Sequence, residues 1–240
     1  FISLRNFIIN LTNFQINFQL INFVIYSLFF VVIGIFSDLN KGITAKTRLL
    51  IMFLISFIIL INSQLIIEKI DIKIIDFFLK FNLLSITIFT VAIVTIVNGS
   101  NFIDGNNANC SGYFFLVYLL LLFNAENFNF VVIDYTLLKN IFIGLLVFSI
   151  LNLYNRNYLG DNGAYFLGFL TSIISIYFFT KYSIPSLLIV AFFSYPVAEI
   201  SVSIIRKFIE KYQPAYCICG HIHENENKKD KIKNTIIINP

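Results

Sequence analysis

Apolar residues come in long blocks separated by short polar connections. The blocks lie at 20–36, 47–67, 83–97, 113–123, 137–154, 164–180 and 184–205, without the strict two-residue alternation of a half-buried strand. Hydrocarbon offers no partner to a backbone N–H or C=O, so a chain that crosses it must satisfy those groups internally, as a helix or within a closed barrel. Apolar runs of ~20 residues without alternation select the helix. The pattern predicts an all-α, polytopic membrane helix bundle with about seven transmembrane helices. The block at 113–123 is short for a full span, so it is expected to extend into 124–126 or to sit where the bilayer is thinned. Between the second and third blocks, EKIDIKIIDFFLKFN (68–82) predicts a short amphipathic piece at the membrane interface.

Composition agrees with the pattern and narrows it. The 240 residues are 58% hydrophobic and 12% charged, with a mean hydropathy of +0.83, far outside the range of soluble domains. A net charge of +4 on such a chain speaks to membrane orientation, and no nucleic-acid partner is expected. Cys110, Cys217 and Cys219 are too few for a secreted disulfide framework, and reduced thiols are expected. Ile, Asn, Lys and Phe are heavily used while Trp is absent, a bias better explained by an AT-rich genome than by function, so an isolated asparagine carries little weight. No internal repeat or Pro/Gly-rich linker divides the chain, and residues 1–240 read as one membrane domain with 206–240 as a loop and tail. Beginning at Phe1 and ending as apolar residues resume, it also reads as a fragment open at both ends.

Positive charge marks the cytoplasmic connections. Lys41, Lys46 and Arg48 fall in one, Arg156 in another, and Arg206, Lys207, Lys211 and the Lys228–Lys233 cluster in the last. If spans alternate, the connection at 98–112 is cytoplasmic too, and 68–82, 124–136 and 181–183 face outward. The same count gathers Ser37-Asp38, the Asn98–Asn107 loop, Gly160-Asp161 and His221/His223 on one face. Acidic residues at the ends of apolar helices are costly in lipid and often mark a site. Asp38, Asp104 and Asp161, with nearby amides, loop glycines, Lys46 and Arg48, suit a hard divalent cation and the phosphates it bridges. The residues thus point to phosphoryl chemistry at a membrane surface with a lipid as one reactant.

Four ordered stretches resemble the polyprenyl-phosphate sugar-1-phosphate transferases. GIFSDLNKGITAKTRLL is similar to that family's acidic-pair loop, NGSNFIDGNNA to its N-x-x-N-F-x-D-G loop, YLGDNGAYFLGF to its G-D-x-G loop, and HIH to the His-x-His of its last cytoplasmic loop. The resemblance implies a multi-pass protein of the inner (cytoplasmic) membrane, with its active site facing the cytoplasm. The implied reaction moves a sugar-1-phosphate, N-acetylhexosamine-1-phosphate being the expected class, from a UDP-sugar to polyprenyl phosphate with release of UMP. It also implies Mg²⁺ as cofactor, with Mn²⁺ as a substitute, and admits a homodimer. By the same resemblance Asp38, Asp161, His221 and His223 are the catalytic residues: Asp161 is also the metal ligand, Asp38 is the second member of the acidic pair and assists or positions the lipid phosphate, and His221 and His223 lie near the diphosphate. Asn98, Asn101, Asp104 and Asn107 bind the nucleotide, and Lys41, Lys46 and Arg48 bind phosphates.

Three positions depart from the family pattern. Ser37 stands for the first acidic residue of the pair, Ala108 for a loop glycine, and an acidic residue usual before the final histidines is missing. A serine hydroxyl hydrogen-bonds a phosphate but is no anionic base near neutral pH. Plainer readings stand beside these roles: Asp38 as a helix cap, Asp104-Gly105 as an ordinary turn, Lys46 and Arg48 as positive-inside anchors, and Cys217, Cys219, His221 and His223 on one side of an extended strand as a zinc site. Glu199 near Pro196, inside an apolar run, is expected to face the bundle interior at a kink. Rival functions are a secondary transporter and a relative that binds without turnover.

Overall fold

The computed structural model describes residues 22–39, 44–182, 184–214, 216–218 and 229–238. It divides into two units, Phe1–Val197 and Ala198–Pro240. The described part of the first contains helices α1 (Asn22–Asp38), α2 (Ala45–Ser63), α3 (Lys73–Leu79), α4 (Asn82–Ile103), α5 (Asn109–Phe123), α6 (Val132–Leu153), α7 (Gly160–Tyr182) and the start of α8 (Ser186–Tyr212). Among the described residues, α2, α4, α6, α7 and α8 are long and apolar enough to cross a membrane. Helices α1 and α5 are apolar but shorter, so five of the expected seven spans meet the length of a bilayer on their own.

Helix α7 forms the centre. Its side chains from Ala164 to Phe178 are almost all buried, whereas α2 and α6 leave much apolar surface outside. A helix that is apolar all round belongs inside a bundle, and lipid takes the exposed leucines and isoleucines of its neighbours. Close backbone approach fixes this packing. A Cβ on Gly34 of α1 would sit 2.1 Å from Cα of Asn162 on α7, and one on Gly168 of α7 would sit 3.0 Å from Cα of Val97 on α4. Small residues at such crossings are how membrane helices come together, since lipid supplies no hydrophobic drive. Phe30 of α1 stacks on Phe169 of α7 at 4.1 Å between ring centroids.

Several polar segments are more helical than their sequence suggests. Helix α4 runs on through Asn98–Ile103 because Asn98 and Ser100 donate to the carbonyls of Val94 (2.8 Å) and Ile96 (2.7 Å), satisfying their polar groups within the helix. Gly160-Asp161 is the first turn of α7 rather than a loop. The expected amphipathic piece is the short α3, preceded by a turn in which Asp76 accepts from the Ile70 N–H at 2.7 Å.

The second unit adds a small sheet to the helical architecture. After the end of α8 come strands β1 (Tyr216–Ile218), β2 (Lys229–Ile232) and β3 (Thr235–Ile238), in the order β1-β3-β2. β3 pairs parallel to β1 and antiparallel to β2. The apolar run at 235–238, TIII, is a strand rich in β-branched residues. Pro196 does lie inside α8, and Glu199 is half-buried.

Candidate active site

Four helix ends meet at Asp161. The residue opens α7, and each of its carboxylate oxygens is engaged by side chains from other helices. Oδ1 accepts from the Asn101 amide at the end of α4. Oδ2 accepts from Ser37 Oγ at 2.6 Å, at the end of α1, and from the Tyr165 hydroxyl one turn further along α7 at 3.5 Å. Arg48, in the first turn of α2, donates to Ser37 Oγ at 2.5 Å and lies 3.7 Å from the same Oδ2. Its guanidinium sits 5.5 Å from the centroid of the Tyr165 ring. Helix α2 is started by Thr44, whose hydroxyl accepts from the Thr47 N–H at 3.2 Å.

The other two carboxylates cap α7 from outside. Asp38 Oδ1 accepts from the Asp161 N–H at 3.3 Å, and the Asp104 carboxylate lies near the Gly160 N–H. The plainer reading of Asp38 as a cap is thus right in kind, though the helix capped is α7 and not the one that follows in sequence. Negative charge is favourable at the positive end of a helix. Gly160 makes the approach possible: its φ is +65°, and a Cβ there would come within 3.2 Å of Asp38 Oδ2. Burial pushes the Asp104 carboxyl up to about 6; the Gly160 N–H opposes this, and the charges of Asp161 and Asp38 add to it.

The adjacent loop is held from α6. Asn107 is exposed and donates to the Asn155 side chain. The Ala108 N–H donates to Asn152 Oδ1, whose amide donates in turn to the Asn157 carbonyl at 2.7 Å. Ala108 has φ +58°, which explains why a glycine is usual there.

The structure therefore brings together Asp38, Asp104, Asp161, Asn101 and Arg48, with Asn107 on the neighbouring loop. Asn98 sits apart, buried between α4 and α2 with its amide against Met52 Sδ at 3.7 Å. Lys46 is exposed in the first turn of α2. Lys41, His221 and His223 lie outside the described residues, as does Cys219. Tyr165, Asn152 and Asn155 were not foreseen. Tyr165 was accessible to reasoning, because a residue four positions after Asp161 shares its helix face; the two asparagines were lost among many.

Chemically, the site offers oxygen donors for a hard cation, amides for a polar ligand and one guanidinium for a phosphate. Among the described residues no three carboxylate, thiol or imidazole groups are clustered closely enough to form a ready-made cation cage. A cation here would rest on one or two carboxylates and take its remaining ligands from substrate and water, the mode magnesium prefers.

No curated protein matches the chain. The model of the glycosyl transferase family 4 matches residues 20–179, which include α1 and α2, the Asn101–Asp104 segment and the start of α7. With two thirds of its length matched and three of the four motif segments converging on Asp161, this chain belongs to glycosyl transferase family 4.

Proposed function

We propose that the chain transfers a sugar-1-phosphate, of the N-acetylhexosamine class, from a UDP-sugar to polyprenyl phosphate at the cytoplasmic face of the inner membrane. This would start a cell-envelope polysaccharide. The observation that carries the reading is the meeting of the ends of α1, α2, α4 and α7 at one carboxylate, Asp161, beside a guanidinium. An oxygen of the lipid phosphate attacks the sugar-proximal phosphorus. The bond from that phosphorus to the bridging oxygen breaks, and UMP leaves with the oxygen. A phosphate monoester is largely ionised near neutral pH, so the nucleophile needs no strong base, and Ser37 in place of a carboxylate does not forbid the step.

Mg²⁺, or Mn²⁺ in its place, when bound supplies positive charge to the diphosphate and to the leaving group. Asp161 would hold it, with Asp38 or Asp104 beside it. Arg48 steadies phosphate charge bidentately, and Lys46, exposed in the same first turn of α2, adds attraction. Asp104 and Asn107 offer an acceptor and a donor to the uridine edge, while Asn101 orients Asp161. By family resemblance Lys41, His221 and His223 serve the diphosphate as well. A homodimer is compatible with these roles.

The decisive measurement is release of UMP from UDP-N-acetylhexosamines by protein reconstituted with polyprenyl phosphate, with and without Mg²⁺. Cation-dependent UMP release supports the transferase. A second reading, favoured by Ser37 and by the filled hydrogen-bond positions around Asp161, is a relative that binds without turnover; UDP binding with no UMP released would favour it. Absence of both would return the question to a transporter.

A further inference from the structure

Arg48 and Asp161 form an ion pair that a cation at Asp161 must disturb. The guanidinium does not touch the carboxylate closely. It stands 3.7 Å away, with Ser37 Oγ accepting from Arg48 at 2.5 Å and donating to Asp161 at 2.6 Å. Tyr165, fully buried, supports both partners: its ring lies under the guanidinium and its hydroxyl reaches Asp161 Oδ2 at 3.5 Å. Arg48 Nε is buried and makes no hydrogen bond, so one donor of the guanidinium is unspent. Three carboxylates surround the site, yet among the described residues Asp161 is the anion that Arg48 pairs with. The guanidinium and carboxylate side chains are only partly accessible, at 24% and 29%, so solvent weakens their attraction less than it would on an open surface.

We propose that Arg48 is a displaceable counter-ion of Asp161, held in reserve by Ser37 and Tyr165, and that it moves to substrate phosphate when a divalent cation takes its place. Ser37 and Tyr165 are then positioning residues. The exchange follows from charge. A divalent ion and a guanidinium compete for the same oxygen, while a diphosphate offers the guanidinium a better, bidentate partner. Cation and diphosphate binding therefore reinforce one another through Arg48, in addition to any direct bridge between them. Free cation is held weakly, which guards the site against idle loading. The proposal rests on the assignment of Asp161 to the cation.

The test is Mn²⁺ binding to the purified full chain in detergent, read by electron paramagnetic resonance, with and without UDP. Without UDP, Arg48→Gln should tighten Mn²⁺ by about threefold to tenfold, and Arg48→Lys, which keeps the charge, should stay near wild type. Lys46→Gln removes a nearby charge that makes no such contact, and should shift the affinity by less than about 1.5-fold. Tyr165→Phe, which changes no charge, should tighten Mn²⁺ about twofold. UDP should improve Mn²⁺ binding less in Arg48→Gln than in wild type. Unchanged or weaker Mn²⁺ binding in Arg48→Gln, or an effect equal to that of Lys46→Gln, overturns the exchange while leaving the cation assignment intact. Undiminished Mn²⁺ binding in Asp161→Asn overturns the assignment itself. A far-ultraviolet spectrum and size-exclusion profile matching wild type show that each variant is folded.

Discussion

The two ends of α7 carry two acid–base clusters built from nearly the same parts, and they do opposite things. At the start, Asp161 meets Arg48, Ser37, Asn101 and Tyr165, and both charged side chains remain about a quarter exposed. About 30 Å further along the helix, near its last turn, Asp134 of α6 is fully buried and meets Lys181 at 2.7 Å and the hydroxyls of Tyr182 at 2.5 Å and Tyr177 at 3.5 Å. Lys181 lies 5.1 and 5.2 Å from the centroids of the Tyr177 and Tyr182 rings. The Tyr182 hydroxyl also accepts from the Val131 N–H at 3.2 Å, fastening the start of α6. A carboxylate closed in by its own partners is a fastener, whereas one reached by solvent and by neighbouring helix ends can exchange partners for a ligand.

The largest test of that contrast is at the closed end. Asp134→Ala should lower stability by about 3 kcal/mol, the low end for a broken buried pair, because Lys181, itself 27% exposed, keeps some solvent when its buried partner is removed. Turnover per folded molecule should stay within about twofold of wild type. The double variant Asp134→Leu/Lys181→Met should recover most of the loss, since an apolar pair has no charge to desolvate. Denaturant titration in detergent together with UMP release measures both quantities. A collapse of turnover without loss of stability would make the closed end functional and dissolve the comparison.

At the open end the expected effect moves from stability to rate. Asp161→Asn should cut turnover at least ~100-fold, about 2.7 kcal/mol of transition-state stabilisation, with a melting temperature close to wild type. Loss of both together would mean that Asp161 is a fastener as well.

Much of this was legible in the sequence. Helix positions followed from apolar block length, and Ser37, Asp38, Asn101, Asp104 and Asp161 were gathered by counting spans. What the count cannot supply is who touches whom. That Arg48 reaches Asp161 through Ser37 depends on where the starts of α2 and α7 meet the end of α1, which no local pattern in the sequence sets. Asp134 was passed over because 124–136 read as an exposed connection, although an acidic residue beside an apolar run, with a lysine at the end of another, was a usable signal. The sheet was missed for a different reason: four residues, Thr235–Ile238, look the same in a strand and at the edge of a span.

A smaller effect concerns the loop that the open end depends on. Ala108 occupies the left-handed region at φ +58°, so Ala108→Gly relieves backbone strain at the cost of a more flexible unfolded chain. The expected net gain is about 0.5–1 kcal/mol in stability, with nucleotide affinity unchanged if the Asn152 contact alone sets the loop. A fall in UDP affinity would show that the alanine methyl itself orders the loop.

The smallest expected effect is a pH dependence at Asp104. Its carboxyl is raised to about 6 by burial and by the charges of Asp161 and Asp38, above the ~3.9 of an unfolded aspartate. The folded chain therefore binds this proton more tightly than the unfolded one, and the stability linked to it is fully present below pH ~3.9 and lost as pH rises through about 6. Asp104→Asn, neutral at all these values, should flatten that part of the profile and leave the protein slightly more stable near neutrality. Binding should run the other way. If the ionised carboxylate accepts from the nucleoside, metal-free uridine affinity rises a few-fold between pH 5 and 7 in the wild type and stays level in Asp104→Asn. Asp161→Asn should keep the rise, shifted to lower pH because one of the charges that raises the Asp104 carboxyl is gone. Calorimetric titration with uridine at pH 5, 6 and 7 separates the cases. A level profile in the wild type would take Asp104 out of the nucleoside site and leave it as a cap on α7.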